Sequence, residues 1–551
     1  MKKLFQLAAL VLAPWMVARA APTVSFDWFE YTGRDAVFEA PLPPGSYRNP
    51  ILAGFYPDPS ITRAGEKFYL VNSTFGYFPG IPVFESSDLV HWKLLGHVLD
   101  RPEQLRVDGL SISRGVFAPA IHHHDGTFYV LNTLVDSGGN FIATASNAAG
   151  PWSDPIWLPQ IDGIDPSLFI DTDGKAYVLN NGAPDEKPRY QGHRAIWMQE
   201  FDLQRMQLIG PRRVLVNGGV DIASKPIWIE GPHVFKRGAW YYLMCAEGGT
   251  GPNHSEVILR AKSVWGPYTP YDGNPILTQR DLPKDRAHPI TNAGHADLVE
   301  APDGTWWATF LGSRLYDGVN YNTGRETFLL PVTWKDGWPV ILERGRQIPY
   351  LAPAPRLANI HPGAAPSTGN FTWRDEFDQS SLNGAWLQVR APTRQWFDFA
   401  SERGRLLITP NDERLDGKGN PAYLARRQQH LVFEASTALR PPEQGVAAGI
   451  AAFQGDNHWY FLGVRRAGGS LQVFLEKKNG AAVKQIAAAS IEQAGNSDVK
   501  LKVTGRGRDY SFYYDAGGWR PLLESDDGSI LSTEIAGGFV GTTIGPHARR
   551  E

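Results

Sequence analysis

Asp125-Gly126-Thr127-Phe128-Tyr129-Val130-Leu131-Asn132 is a tight-turn signal followed by an aromatic, β-branched run that ends in asparagine. The same texture recurs as Phe68-Tyr69-Leu70-Val71-Asn72 and Ala176-Tyr177-Val178-Leu179-Asn180, and then as Tyr241-Tyr242-Leu243-Met244 and Trp306-Trp307-Ala308-Thr309-Phe310. Asp173-Gly174, Arg237-Gly238 and Asp303-Gly304 precede three of these runs, and Ala64-Gly65-Glu66 precedes the one that starts at Phe68. Turns of this kind feed hairpins. The reference aromatics Tyr69, Tyr129, Tyr177, Tyr242 and Trp307 are spaced by 60, 48, 65 and 65 residues. A second cue lies downstream of several runs: Asp88-Leu89-Val90-His91-Trp92, Gly150-Pro151-Trp152 and Gly266-Pro267-Tyr268. Five repeats of a few strands each predict an all-β, five-bladed β-propeller. A β-sandwich with chance similarity is the competing fold.

Eleven or twelve residues upstream of each reference aromatic stand Asp58, Ala118, Asp165, Glu230 and His295. If the repeats are blades, these positions lie at one radius around one axis, and three acids and a histidine converge on one channel mouth. A single Asp-Pro, as in Asp58-Pro59 or Asp165-Pro166, is an ordinary turn former. Three acids at one register beside proline or glycine are harder to explain that way. Carboxylates gathered in a confined pocket repel one another, so one is kept protonated beside one that is ionised. Hydrolysis of a glycosidic bond needs such an acid and base. Phe75, Phe117, Trp228 and Trp92 lie near these motifs and could offer flat apolar faces to sugar rings, although in any propeller most such aromatics are core residues.

Composition agrees with this reading. The 57 glycines and 42 prolines make nearly a fifth of the 551 residues, against roughly an eighth in ordinary proteins. Neither heptads nor a Gly-X-Y period occurs, which excludes coiled coils and collagen, and 42% hydrophobic residues can fill large cores. The net charge of −3 leaves no basic footprint for nucleic acid.

Lys2 and Lys3, the apolar run from Leu4 to Val17 and Ala18-Arg19-Ala20 read as a cleaved signal peptide over residues 1–20. An uncleaved anchor is the alternative. Cleavage leaves a charge of −6 and predicts a periplasmic or secreted protein with no membrane partner. Cys245 is the one cysteine, so no intramolecular disulfide can form; its strand-like setting fits a buried apolar side chain. In His122-His123-His124, neighbours on a strand alternate faces, so the three cannot all face one metal ion.

The run Asn49-Pro50-Ile51-Leu52-Ala53-Gly54-Phe55-Tyr56-Pro57-Asp58-Pro59-Ser60 resembles glycoside hydrolase family 43. So do Ser73-Thr74-Phe75, Gly115-Val116-Phe117-Ala118-Pro119, Asp165-Pro166-Ser167 and Glu230-Gly231-Pro232. The likeness covers about residues 45–350. It implies a five-bladed propeller that hydrolyses β-xylosides or α-L-arabinofuranosides with inversion, on xylo-oligosaccharides or arabinose-substituted hemicellulose. By the same resemblance Asp58 matches the general base, Glu230 the general acid, and Asp165 the residue that tunes and orients the acid. Phe75 and Arg325 match the sugar subsite; taken alone, Arg325 also suits a surface ion pair with Glu326. Phe117 and His295 complete the expected binding residues. His295 resembles the channel histidine often found near calcium or water. No cofactor is expected to be required and no metal ligand set is assigned, with a calcium ion in the channel left open although one histidine suits it poorly.

The propeller is expected over residues 21–351 and a Pro/Ala/Gly-rich linker over 352–369. A β-sandwich is expected over 370–551, from runs such as Val446-Ala447-Ala448-Gly449-Ile450-Ala451-Ala452-Phe453 and Trp459-Tyr460-Phe461-Leu462. Trp373-Arg374-Asp375-Glu376-Phe377-Asp378, Ala422-Tyr423-Leu424-Ala425-Arg426-Arg427-Gln428 and Gly537-Gly538-Phe539-Val540-Gly541 resemble the concanavalin A-like sandwich appended to family β-xylosidases. That resemblance implies a domain packed on the propeller that helps wall the pocket; an independent carbohydrate-binding module is the alternative. An inverting pair should stand roughly 6.5–9.5 Å apart. A sugar-binding propeller without catalysis and a retaining, sucrose-type enzyme with Asp58 as nucleophile are the rival readings. The sequence chooses neither xylose over arabinofuranose nor a chain length, and leaves oligomerisation open.

Overall fold

The computed structural model describes residues 23–357, 366–480, 482–491, 497–515 and 517–551. The expected signal peptide, 1–20, and the middle of the expected linker lie outside them. The described chain is nearly all β.

Each repeat is one antiparallel sheet. Blade 1 holds Ser60–Ala64, Lys67–Val71, Gly80–Ser86 and Lys93–Leu99. Blade 2 is built on Ala120–His124, Thr127–Val135 and Gly139–Ala145, with Gly115–Val116 and Ile156–Trp157 at its margins. Blade 3 runs Ile164–Ile170, Ala176–Gly182, Ala195–Asp202 and Gln207–Asn217. Blade 4 is led by Glu230–Arg237, Trp240–Glu247 and Ser255–Ala261, and blade 5 by Ile290–Glu300, Trp306–Arg314 and Glu326–Lys335. The innermost strands touch in sequence order and the fifth returns to the first, so five blades close a ring. The ends of the ring are tied by Asn49, whose side-chain amide donates to the Leu329 carbonyl and accepts from the Leu329 amide.

The asparagine that ends three of the repeated runs has a structural role. Asn72 donates to the carbonyls of Tyr56 and Pro57, Asn132 to that of Phe117, and Asn180 to that of Asp162. Each therefore pins the loop leading into its blade's innermost strand, where the repeated site positions sit. A buried carbonyl without such a partner costs about 1–3 kcal/mol.

The domain limits differ from the expected ones in two places. Val24–Gly33 belongs to the sandwich and not to the propeller expected from residue 21: it pairs with Val432–Leu439, Thr372–Asp375 and Leu406–Ile408. Its alternation (Val24, Phe26 in; Asp27 half out) marks a strand, but the partners lie hundreds of residues downstream. Leu351–Pro353, at the start of the expected linker, is a strand against Ser46–Arg48. The second sandwich sheet runs from Lys484–Ile491 across Val446–Gly455 to Leu387–Val389, and its last strand is Tyr77–Phe78 from the propeller. One face of this sheet packs inside the sandwich through Ile450, Tyr460 and Leu462. Its other face packs on the propeller, where Ala451, Phe453 and Phe461 meet Phe55, Phe75 and Tyr77. Burial on both faces explains why Val446–Phe453 reads as an unbroken small and apolar run.

Cys245 is fully buried in blade 4, as its sequence setting implies. His122, His123 and His124 are half-buried on the innermost strand of blade 2.

Candidate active site

The repeat register holds in three dimensions. Asp58, Asp165 and His295, from blades 1, 3 and 5, share a left-handed backbone with φ of 52°, 56° and 50°. Such conformations are uncommon for residues other than glycine and cluster where a side chain must be aimed. In blades 3, 4 and 5 a register shift lies beside the site position, between Ile164 and Ser167, Glu230 and His233, and Gly294 and Asp297. Bulges of this kind turn a side chain out of the ladder. Gly231 has φ of 56°, and a Cβ there would lie 2.7 Å from His295 Nε2, so only glycine lets the fourth and fifth blades approach this closely.

Together these residues line a cavity of about 380 Å³. Asp58, Asp165, Glu230, Phe75, Phe117, His295 and Arg325, all expected from the sequence, border it, with Ala118 at the acid-free position of blade 2. Arg114, Arg194, Trp228 and Phe539 border it as well. Phe539 comes from the sandwich: it stacks on Phe75 at 5.9 Å and meets Phe117 edge-on at 5.4 Å. Its amide donates to Ser113 Oγ at 3.1 Å, which fixes the loop to the propeller. Arg325 donates to Asp58 Oδ1 at 3.0 Å and to the Phe539 carbonyl at 3.5 Å. Its neighbour Glu326 instead pairs with Arg314, at 2.7 Å and 2.9 Å, so the alternative pairing of Arg325 with Glu326 does not occur.

The three carboxyls are all buried but differ in surroundings. Burial would raise the Asp58 carboxyl, but Arg325, His295 and the Ser73 hydroxyl, which donates at 2.6 Å, outweigh it and hold Asp58 below the usual carboxylate range. His295, with Nδ1 3.7 Å from Asp58, is itself pushed down to about 4 by burial. At neutral pH it is uncharged, so the cation that holds Asp58 ionised there is Arg325. Burial raises both Asp165 and Glu230, and the acids around them raise them further: Asp58 acts on Asp165, and Asp165 and Asp58 on Glu230. These two titrate as a pair. Asp165 Oδ2 accepts from Asn181 Nδ2 at 3.0 Å and from the Gly231 amide at 3.2 Å. The Glu230 carboxyl has no such donor among the described residues, so a proton shared by the pair resides on Glu230. The pocket thus sets an ionised carboxylate, Asp58, beside a protonated one.

The donor set does not suit calcium. That ion takes six to eight oxygens, whereas the carboxylate beside His295 is already engaged by Arg325 and Ser73. Among the described residues no cluster of three or more His, Cys, Asp or Glu side chains is placed to hold a metal.

Comparison with known proteins agrees with the fold. Residues 47–339 match the family model for glycosyl hydrolases family 43, and residues 374–551 match that for the beta xylosidase C-terminal concanavalin A-like domain. The chain is 38% identical over 514 residues to a xylosidase/arabinosidase of Butyrivibrio fibrisolvens, covering 91% of this chain and 95% of that one. It is also 38% identical over 517 residues to a non-reducing end alpha-L-arabinofuranosidase of Bacteroides ovatus, covering 91% of each. The crystal structure of a GH43_12 retrieved from a capybara gut metagenome superposes with a TM-score of 0.90 at 39% identity, covering 96% of this chain and all of that one. The chain belongs to glycosyl hydrolase family 43, and it is a glycoside hydrolase of the xylosidase and arabinosidase kind.

Proposed function

We propose that the protein is an exported, inverting exo-glycosidase that removes xylose from the non-reducing end of β-1,4-xylo-oligosaccharides, or arabinofuranose from side chains. The observation that carries this reading is the different setting of two buried carboxyls in one cavity: Asp58 accepts from Arg325 at 3.0 Å and from Ser73, which favours its ionised form, whereas Glu230 stands beside Asp165 with no donor among the described residues, which favours its protonated form. Glu230 gives its proton to the glycosidic oxygen as the bond from that oxygen to the anomeric carbon breaks. A water on the opposite face attacks the anomeric carbon and loses its proton to Asp58. The sugar leaves with a hydroxyl of inverted configuration, and Asp58 and Glu230 return to their starting states by exchange with solvent.

Asp165 acts here as a positioning residue. Its negative charge keeps Glu230 protonated, and its bond from the Gly231 amide fixes the backbone that carries the acid. Phe75, Phe117 and Phe539 form the apolar wall for the sugar, and Arg325 the polar one. The end walls supplied by Phe539 and the Arg325 side chain favour a terminal sugar over a chain threading through. The basic start and apolar run of residues 1–20 support export to the periplasm or the medium.

Side-by-side assays on nitrophenyl β-xyloside and nitrophenyl α-L-arabinofuranoside test the reading. Activity on at least one is expected. Asp58→Asn should abolish it on both, because water still needs a base, whereas Glu230→Gln should keep part of it on nitrophenyl substrates, whose leaving group needs little protonation. Equal losses in the two variants would overturn the assignment, and no hydrolysis of either substrate by the intact protein would overturn the function.

A further inference from the structure

Three arginines line the cavity, and two of them are engaged. Arg325 is bonded to Asp58 at 3.0 Å, and Arg114 is bonded to Asp136 at 2.6 Å. Arg194 has no hydrogen-bond or ion-pair partner for its guanidinium among the described residues, and its Nε is buried without an acceptor. Burying a charged donor unmet costs more than leaving a neutral one unmet. The group is nevertheless held firmly, with its guanidinium 4.4 Å over the Trp228 ring.

Trp228 is fixed just as closely. Its backbone is left-handed, with φ of 51°, and its amide donates to the Gly192 carbonyl at 3.0 Å. The Tyr190 hydroxyl donates to the carbonyls of Gly218 and Pro226, tying the loop before Trp228 to the segment that carries Arg194. Despite this bracing, Trp228 is 37% exposed and Ile227 50% exposed. A braced, outward-facing tryptophan therefore stands at the rim of the cavity, two residues from Glu230, and the guanidinium stacked on it makes no hydrogen bond and acts on Asp165 and Glu230 only through space.

We infer that Arg194 and Trp228 form the subsite for the leaving group, with Arg194 donating to hydroxyl oxygens of the second sugar and Trp228 offering it an apolar face. The inference rests on reading Glu230 as the acid. The acid must stand next to the oxygen of the leaving group, so the leaving sugar lies on the side of Glu230 and emerges over the nearest exposed rim. That rim carries Trp228 and Arg194, while Asp58, Phe75, Arg325 and Phe539 enclose the sugar being released. A guanidinium fork suits paired hydroxyls, and aromatic faces suit the apolar face of a pyranose. Arg194 is a specificity-determining residue on this account, selecting leaving groups rich in oxygen.

The test compares kcat/KM for xylobiose with that for methyl β-xyloside, or the corresponding arabinofuranosides if those are the substrates. Both leaving groups are alcohols that need the same proton, so a change in the strength of the acid moves both alike; only the sugar can reach Arg194. In Arg194→Ala the ratio of xylobiose to methyl β-xyloside should fall about tenfold, the usual worth of a hydrogen bond to a charged group, mostly through KM. Arg194→Gln, which keeps two donors, should restore part of the ratio. The ratio does not depend on how much of a variant is folded. An unchanged ratio in Arg194→Ala would overturn the inference, as would a ratio that Arg194→Gln leaves as low as alanine does. Failure of the intact protein to cleave any xyloside or arabinofuranoside would instead remove the proposed function.

Discussion

Arg325 reaches from blade 5 to Asp58 in blade 1 with 3.0 Å between Nη1 and Oδ1, and both side chains are almost fully buried. The same guanidinium lies 5.9 Å from the Phe75 ring and 5.6 Å from the Phe539 ring. One side chain therefore holds the carboxylate, borders the aromatic wall of the cavity and meets the sandwich loop.

Arg325→Ala should raise the pKa of Asp58, because burial then acts without its main counter-charge. The sign is fixed: a group held low by a cation moves up when the cation is removed. The acidic limb of the kcat/KM profile should shift to higher pH, and kcat/KM at the optimum should fall by about tenfold to a hundredfold. A pH–rate profile on the better nitrophenyl substrate measures both effects.

Asp165→Asn should act on the other limb. Glu230 is raised by burial and then by the charge of Asp165, so a neutral amide at 165 lets Glu230 lose its proton at lower pH. The alkaline limb should move down by about one pH unit, with the acidic limb little changed. The same profile measured for this variant checks it.

Phe539→Ala would open the pocket wall that the sandwich supplies. The ring stacks on Phe75 and packs edge-on against Phe117, so its loss removes apolar surface that lines the cavity. KM for small substrates should rise about tenfold with a smaller change in kcat. Steady-state kinetics with a thermal-unfolding control separates this from a loss of fold.

Arg314 carries the joint between the two halves. It donates to Asp35 Oδ2 at 2.6 Å, to both oxygens of Glu326, and to the Gln429 carbonyl at 2.8 Å, all buried. Arg314→Met leaves two buried carboxylates without their cation and should cost about 3–5 kcal/mol. The melting temperature should drop by several degrees, whereas Arg101→Ala, which breaks the exposed pair with Asp154, should leave it unchanged within about a degree.

The parts legible in the sequence are those that repeat. The turn-strand pattern marks the blades because each blade needs the same hairpin, and in three of them the same asparagine amide pins the entrance. Asp58, Asp165 and His295 share one register in the sequence because three blades use one backbone conformation at that point. Phe539 shows in the sequence only as part of a resemblance to a sandwich domain; its place in the pocket depends on docking between domains, which leaves no local mark. Arg194 and Trp228 likewise meet through contacts between the loop before blade 4 and the turn within blade 3. Val24–Gly33 reads as a strand, but alternation says which face is buried and not which distant strand covers it. The small and apolar run Val446–Phe453 carries a signal for two buried faces that simple alternation does not.

The stereochemistry of the first product tests the central claim most directly. Proton NMR of the hydrolysis of a β-xyloside, recorded in the opening minutes before mutarotation, should show α-xylose appearing first and β-xylose growing in later; an α-L-arabinofuranoside should likewise give the β-anomer first. That result is expected if Asp58 activates water. Release of the retained anomer first would make Asp58 a nucleophile and contradict the account.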